Sequence, residues 1–280
     1  MKKRNHAFMA FTYIFLTLMV LVILFPIAYT MISSFKGSEE FLLGGANFLP
    51  KKWEWKNYIE AWQMANFALY TFNSLFIAGF TVIGSILISS MASYTLARLN
   101  FPGKNLFVGS LGLTMFVSGV VTVYPIFKLC QSLKLSSNLW GMILVQISMG
   151  LAVDIFLVMN YCHGVPKEID EAAKIDGCSF FRTYRDIIIP IIKPILATVG
   201  LLEFKNAWNN YLIPLAFTLS NKTIRPLTVG VIALKDTGDG ISSWNYMIVG
   251  AVISIVPILV VYLFMNRFFI AGMTAGAVKG

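Results

Sequence analysis

The sequence predicts an all-α integral membrane protein with six membrane-spanning helices. Two observations carry that expectation. The 280 residues are 57% hydrophobic and only 12% charged, with a mean hydropathy of +0.73, outside the range of soluble domains. The apolar residues also gather into long runs, about 7–32, 70–96, 106–127, 139–161, 187–217 and 246–269. Each is long enough for the ~20 helical residues that cross a bilayer. Backbone amides find no partners in lipid, so such runs must satisfy their own hydrogen bonds as helices. The stretches between them leave no room for a soluble catalytic domain, and one membrane domain over residues 1–280 is the expectation.

Taken in order, the first run follows Lys2, Lys3 and Arg4. It is too long for the apolar region of a signal peptide and reads as a retained span. The segment 36–66 carries Gly44-Gly45, Pro50 and the pair Trp53 and Trp55; tryptophans in such a place fit an interfacial belt. Basic residues near span ends set orientation. With the N-terminus in the cytoplasm, twelve basic residues fall inside and nine outside, a modest bias that sharpens for arginine alone, with Arg4, Arg98, Arg182, Arg185 and Arg267 inside and Arg225 outside. An even number of spans then places both termini in the cytoplasm. The formal charge of +9 reflects these flanks, and in a chain this lipophilic it points to membrane lipid and argues against nucleic acid. The three cysteines form no Cys-x-x-Cys pair, and His6 and His163 are too few for a metal cluster.

Between the fourth and fifth runs lies a charged insert, Glu168-Ile169-Asp170-Glu171-Ala172-Ala173-Lys174-Ile175-Asp176-Gly177. Charges are costly inside a bilayer, so the insert belongs on its surface. Pro166 suits a first helical turn, Glu168, Asp170 and Glu171 favour the positive end of a helix dipole, and Gly177 ends the helix. The alanines permit close approach of a second surface. The insert is either a solvated juxtamembrane loop or a docking element, and composition alone favours the solvated loop.

Three ionisable groups fall well within the spans, Asp154 in the fourth run and Glu203 and Lys205 in the fifth. At about 100° per residue, Glu203, Lys205, Asn206, Asn209 and Asn210 share one arc, with Trp208 at its border. Such an arc either lines a water-filled path or bonds a neighbouring helix. Amides that bond hydroxyls, beside an aromatic ring that stacks on an apolar sugar face, suit a carbohydrate path. Asp154, in the fourth run, reads as a partner within the bundle. The segment 220–244, with Asp236, Gly238, Asp239 and Gly240, reads as an external loop facing a soluble partner.

The insert, read as Glu171-Ala172-Ala173, three residues, Gly177 and then Ile187 to Pro190, resembles the coupling loop of ABC-importer permeases, with Ile189 where that family usually has Leu. Further stretches resemble its carbohydrate-uptake branch, the family of the small permease subunit of maltose-type transporters. These are Asn73-Ser74-Leu75, Tyr94-Thr95-Leu96-Ala97-Arg98, Tyr124-Pro125, Ala207-Trp208-Asn209, Pro214-Leu215 and the tail 271–280. Met159-Asn160-Tyr161-Cys162-His163 departs from the family pattern.

The resemblance implies the type I ABC importer permease fold, with a coupling loop over 166–186. It implies that Glu168, Asp170, Glu171, Ala172, Ala173, Asp176 and Gly177 couple to an ATPase, and that Thr274, Ala275, Gly276 and Lys279 of the tail contact it. The implied partners are a second permease subunit in a heterodimer, two ATPase subunits and an extracellular solute-binding protein. No Gly-x-x-x-x-Gly-Lys-(Ser/Thr) phosphate loop occurs. ATP and Mg therefore belong to the partner ATPase subunits, no cofactor is expected on this chain, and the chain is expected not to be an enzyme. The implied function is a permease subunit of an ATP-driven sugar importer, with an oligosaccharide as the cargo. The alternatives are a permease for a polyol or a glycerol phosphate ester, and an ion-driven secondary transporter.

Overall fold

The computed structural model describes residues 6–43, 47–64, 66–219, 221–234 and 243–277, with backbone alone at 6–7, 41–43, 243 and 265–277. All regular elements among them are helical. The chain divides into two compact units, Met1–Phe67 with Gly230–Val256, and Ala68–Val229 with Pro257–Gly280.

In the first unit, α1 (His6–Ser33) is a single long helix. Its side chains from Phe8 to Phe25 are exposed apart from the half-buried Met9 and Thr12, as suits a surface that lipid covers. The chain then turns through Ser34 and Lys36 into α2 (Ser38–Leu43) and α3 (Lys56–Met64). That turn leaves carbonyls without helical partners. Asn57 supplies them: its Nδ2 donates to Ser34 O at 3.1 Å and to Lys36 O at 3.0 Å. Lys36, the first residue of the segment 36–66, is buried. Its ammonium donates to the Asn47 carbonyl and lies 5.1 Å from the centre of the Tyr29 ring, so a carbonyl and a π-face replace water around the charge. Trp53 and Trp55 pack around Phe35 at 5.1 and 4.6 Å between ring centres and remain exposed on their outer sides. Tyr246 OH donates to Glu60 Oε2 at 2.6 Å, which ties the start of the last helix, α13 (Ser243–Ala277), to α3.

The second unit is built on three long helices. They are α4 (Phe67–Arg98), α7 (Leu139–Gly164) and α10 (Ile189–Asn209). Its main core joins Tyr94 of α4 to Ile155, Val158 and Cys162 of α7 and to Ile192, Ile195 and Val199 of α10. A second cluster joins Ile77 and Met142 to Ile213 and Phe217. On α4, Thr81, Ser85, Ser89 and Ser93 recur every four residues and are all fully buried. Small hydroxylated side chains on one stripe let membrane helices approach closely, and Ser93 Oγ caps the bargain by donating to Ile155 O at 2.8 Å.

Two of the expected spans are broken. The run 106–127 forms α5 (Lys104–Thr114) and α6 (Gly119–Ser132), which meet at a 108° bend. The amides of Met115, Phe116 and Val117 reach back only three residues, and Ser118 is extended at φ −65°, ψ 126°, so the helix stops and restarts. The run 187–217 divides at Asn210, extended at φ −64°, ψ 131°, into α10 and the short α11 (Leu212–Thr218). Among the described residues, five helices are long and apolar enough to cross a membrane, or six when α5 and α6 count as one span.

Candidate functional site

Two places in the second unit gather the chemistry. The first is the charged insert, which folds as α8 (Glu168–Ile175), α9 (Phe180–Thr183) and a π-helical turn Tyr184–Ile188 that runs into α10. Three acids occupy the first turn of α8, where the orphan amides and the helix dipole favour negative charge. Its end is a Schellman stop. Gly177 sits at φ +76°, its amide donates to Lys174 O at 3.1 Å, and the Cys178 amide donates to Ala173 O at 2.9 Å.

The residues predicted to couple divide into two faces. Glu168, Glu171, Ala172 and Asp176 point outward and are exposed, whereas Ala173 is buried against the bundle. Asp170 also turns inward. It accepts from Tyr94 OH at 2.6 Å on Oδ1, and Arg98 Nε lies 2.9 Å from its Oδ2, an ion pair whose N–H is not aligned on the oxygen. Between the exposed acids stands Ile175, 87% exposed, which the sequence reading did not single out. Its signal was its register: it follows Glu168 by seven residues and Glu171 by four, the spacing of one helix face. In the sequence Tyr94 stands out only by resemblance and Arg98 by resemblance and as an inner-flank arginine, neither as a grip on the insert.

The second place is a cavity of about 340 Å³ between α7 and α10. Glu203, Lys205, Asn206, Asn209 and Asn210 all line it. Trp208 does not. It is buried and stacks on Phe204 at 5.6 Å between ring centres, because the border of a polar arc is where a helix turns into the core. From α7 come Gln146 and Gly150, which the sequence reading missed. They stand one helical turn apart, with Asp154 one turn further, so a lone amide, a glycine and a carboxylate at i, i+4, i+8 in an apolar run were the available signal.

Glu203 is buried, and its Oε1 accepts from Asn206 Nδ2 at 3.2 Å. Gln146 is 5% exposed, and neither its Oε1 nor its Nε2 has a protein partner. Asn210 closes one end: its Oδ1 accepts from Ile213 N at 3.3 Å and its carbonyl from Thr228 Oγ1 at 2.9 Å. The cavity therefore offers amide donors and acceptors, one carboxylate and the Lys205 ammonium, an inventory for binding hydroxyl groups rather than for covalent chemistry. Among the described residues, no group of three or more His, Cys, Asp or Glu side chains is placed to hold a metal ion. Asp154 is buried beside Glu203. In the tail, Thr274, Ala275 and Gly276 lie on the α13 backbone with their side chains outside the description, and Lys279 lies outside the described residues.

Long apolar helices, a charged surface insert on a rigid base and a polar cavity inside the bundle define a multi-pass membrane transport subunit. Residues 84–273 match the family described as the binding-protein-dependent transport system inner membrane component. The chain belongs to this family, and is a permease subunit of the cell membrane rather than an enzyme. It is 33% identical over 262 residues to the arabinooligosaccharides transport system permease protein AraQ of Halalkalibacterium halodurans, covering 92% of each chain. It is 31% identical over 266 residues to the trehalose/maltose transport system permease protein MalG of Thermococcus litoralis, covering 94% of each. Its fold is similar to a chain in the crystal structure of a bacterial ABC transporter that imports the acidic polysaccharide alginate. That match has a TM-score of 0.80 at 24% identity and covers 96% of this chain and 99% of the other.

Proposed function

We propose that this chain forms half of the translocation path of an ATP-driven sugar importer, with an oligosaccharide as cargo. The observation that carries the reading is the polar cavity between α7 and α10, in a chain whose relatives are named for arabinooligosaccharides and for trehalose and maltose. Glu203, Asn206, Asn209, Asn210 and Gln146 bond sugar hydroxyls there, while Lys205 stands at the exposed side. The whole chain acts as one permease domain, with both termini and the insert 166–186 in the cytoplasm. A second permease subunit supplies the other half of the path.

The energy comes from outside the chain. Two ATPase subunits hold ATP and Mg, and α8 docks on one of them through Glu168, Glu171, Ala172, Ile175 and Asp176. Gly177 sets the angle at which α8 leaves that contact, and Ala173 and Asp170 hold it to the bundle. The tail, through Thr274, Ala275, Gly276 and Lys279, adds a further contact to the ATPases. Closure of the ATPase dimer moves α8 as a lever and switches the two bundles between inward- and outward-facing states. An extracellular solute-binding protein then delivers sugar to the opened outer face.

Reconstitution tests this. The chain is purified with its second permease and its ATPases, placed in proteoliposomes, and given its binding protein with a panel of labelled oligosaccharides. ATP-dependent uptake that needs every component is the expected result. Uptake by the chain alone along a proton or sodium gradient would overturn the reading.

A further inference from the structure

We propose that Arg98 and Tyr94 are positioning residues that lock α8 to α4, and that α4 is the rod carrying the displacement of α8 to the segment 223–227. The inference rests on the coupling role of α8 proposed above.

The grip at one end of α4 has several parts. Arg98 and Asp170 are nearly sealed from solvent, with side-chain exposures of 6% and 13%. While Arg98 Nε faces Asp170, its Nη2 donates to Val165 O at 2.8 Å. Val165 is the residue that ends α7. One guanidinium thus joins the last residue of α4, the end of α7 and the first turn of α8. Tyr94, one turn earlier, donates its hydroxyl to the same carboxylate. Its ring stacks on Phe180 at 4.7 Å and on Tyr184 at 5.6 Å, and Tyr184 OH meets Ser90 Oγ at 2.7 Å. Both limbs of the insert, α8 before Gly177 and α9 with the π-helical turn after it, therefore hold one short stretch of α4. Charge-assisted hydrogen bonds and stacked rings fix orientation as well as distance.

The other end of α4 is clamped as firmly. Asn73 Nδ2 donates to Thr223 O and to Arg225 O, each at 2.9 Å, and Ser74 Oγ accepts from Leu227 N at 2.8 Å. Two adjacent side chains satisfy three backbone groups of 223–227. Between the clamps α4 is one unbroken helix without proline, so Asn73 and Arg98 stand about 37 Å apart at a rise of ~1.5 Å per residue. A shift of α8 meets no joint before 223–227.

The test uses the full importer in lipid nanodiscs, reading ATP hydrolysis with and without its binding protein. Tyr94→Phe keeps both ring stacks and removes the hydroxyl. Arg98→Asp and Asp170→Arg each break the ion pair, and together they restore it with the charges exchanged. We expect each single variant to lose binding-protein stimulation about 10-fold while the ATPases still co-purify, and the exchanged pair to regain most of it. Tyr94→Phe combined with Asn73→Ala should be no worse than the more damaging of the two alone, as two breaks in one rod must be. Stimulation that survives Arg98→Asp and Tyr94→Phe overturns the positioning role. Losses from Tyr94→Phe and Asn73→Ala that multiply, as for independent sites, overturn the rod. The parent reading fails differently: Ile175→Asp would then leave both ATPase binding and stimulation intact.

Discussion

The carboxylate of Glu203 occupies the space that a side chain at Gly150 would need. A Cβ built on Gly150 would lie 2.5 Å from Glu203 Oε1 and 2.7 Å from its Cδ. The glycine therefore brings α7 close to α10 and fixes where the one acid of the cavity wall sits. Gly150→Ala should push Glu203 away and cost about 1–3 kcal/mol, the usual penalty of overpacking. The check is a lower melting temperature in detergent together with a raised KM for uptake, and an unchanged KM would show that the position of Glu203 is immaterial to the cargo.

Gln146 should show stability and function moving in opposite directions. A buried amide with no protein partner carries a desolvation cost of about 1–3 kcal/mol, and Gln146, with both polar atoms unpartnered, stands in the α7 wall of the cavity. Gln146→Leu removes that cost at nearly constant volume. The variant should melt higher in detergent while its uptake KM rises severalfold. A variant that melts lower and transports normally would mean the amide serves packing, not cargo.

Gly177 is a conformational requirement and not a contact. At φ +76° an L-residue with a Cβ is strained, by about 1–2 kcal/mol, and no atom within 4 Å crowds the site. Gly177→Ala should therefore melt only slightly lower, whereas Gly177→Val, β-branched, should unwind the Schellman stop and change the angle between α8 and α9. ATP hydrolysis that continues without uptake is the expected signature of the valine variant. Normal uptake by Gly177→Val would remove this angle from the mechanism.

How much of this was legible in the sequence differs from residue to residue. The runs announce the long helices because length and hydropathy are local properties. Pro166, the three acids and Gly177 announce α8 for the same reason, since caps and stops act within a turn. The break at Met115–Ser118 was hidden because a change of backbone direction leaves an apolar run apolar. Asp170 was read with its outward neighbours because its partners on α4 are remote in sequence, and only the fold brings Arg98 and Tyr94 to it. Gln146 was passed over because its i, i+4, i+8 spacing with Gly150 and Asp154 does not say what faces that stripe, and the wall that gives it meaning, from Glu203 to Asn210, comes from a different helix. Trp208 failed in the opposite sense. Its angle placed it at the edge of the polar arc, and packing against Phe204 decided which side of the edge it took.

Ile175 offers the sharpest test of what α8 is for. An isoleucine 87% exposed among acids on a short surface helix gains nothing from that position in the isolated chain. Its worth appears only when another surface covers it, and full burial of such a side chain is worth about 1.5–3 kcal/mol. Ile175→Ala should then weaken assembly with the ATPase subunits about 10-fold, at roughly 1.4 kcal/mol per decade. Ile175→Asp, which adds a charge that burial would strand, should abolish it. Neither change touches the Schellman stop or the buried side of α8, so insertion and detergent melting of the chain should match the parent. Titration of the purified permease pair with ATPase, read by light scattering or by ATP turnover, measures the shift. Equal affinities for the parent and Ile175→Asp would show that the ATPase grips the chain elsewhere, and the exposed isoleucine would then need a different partner.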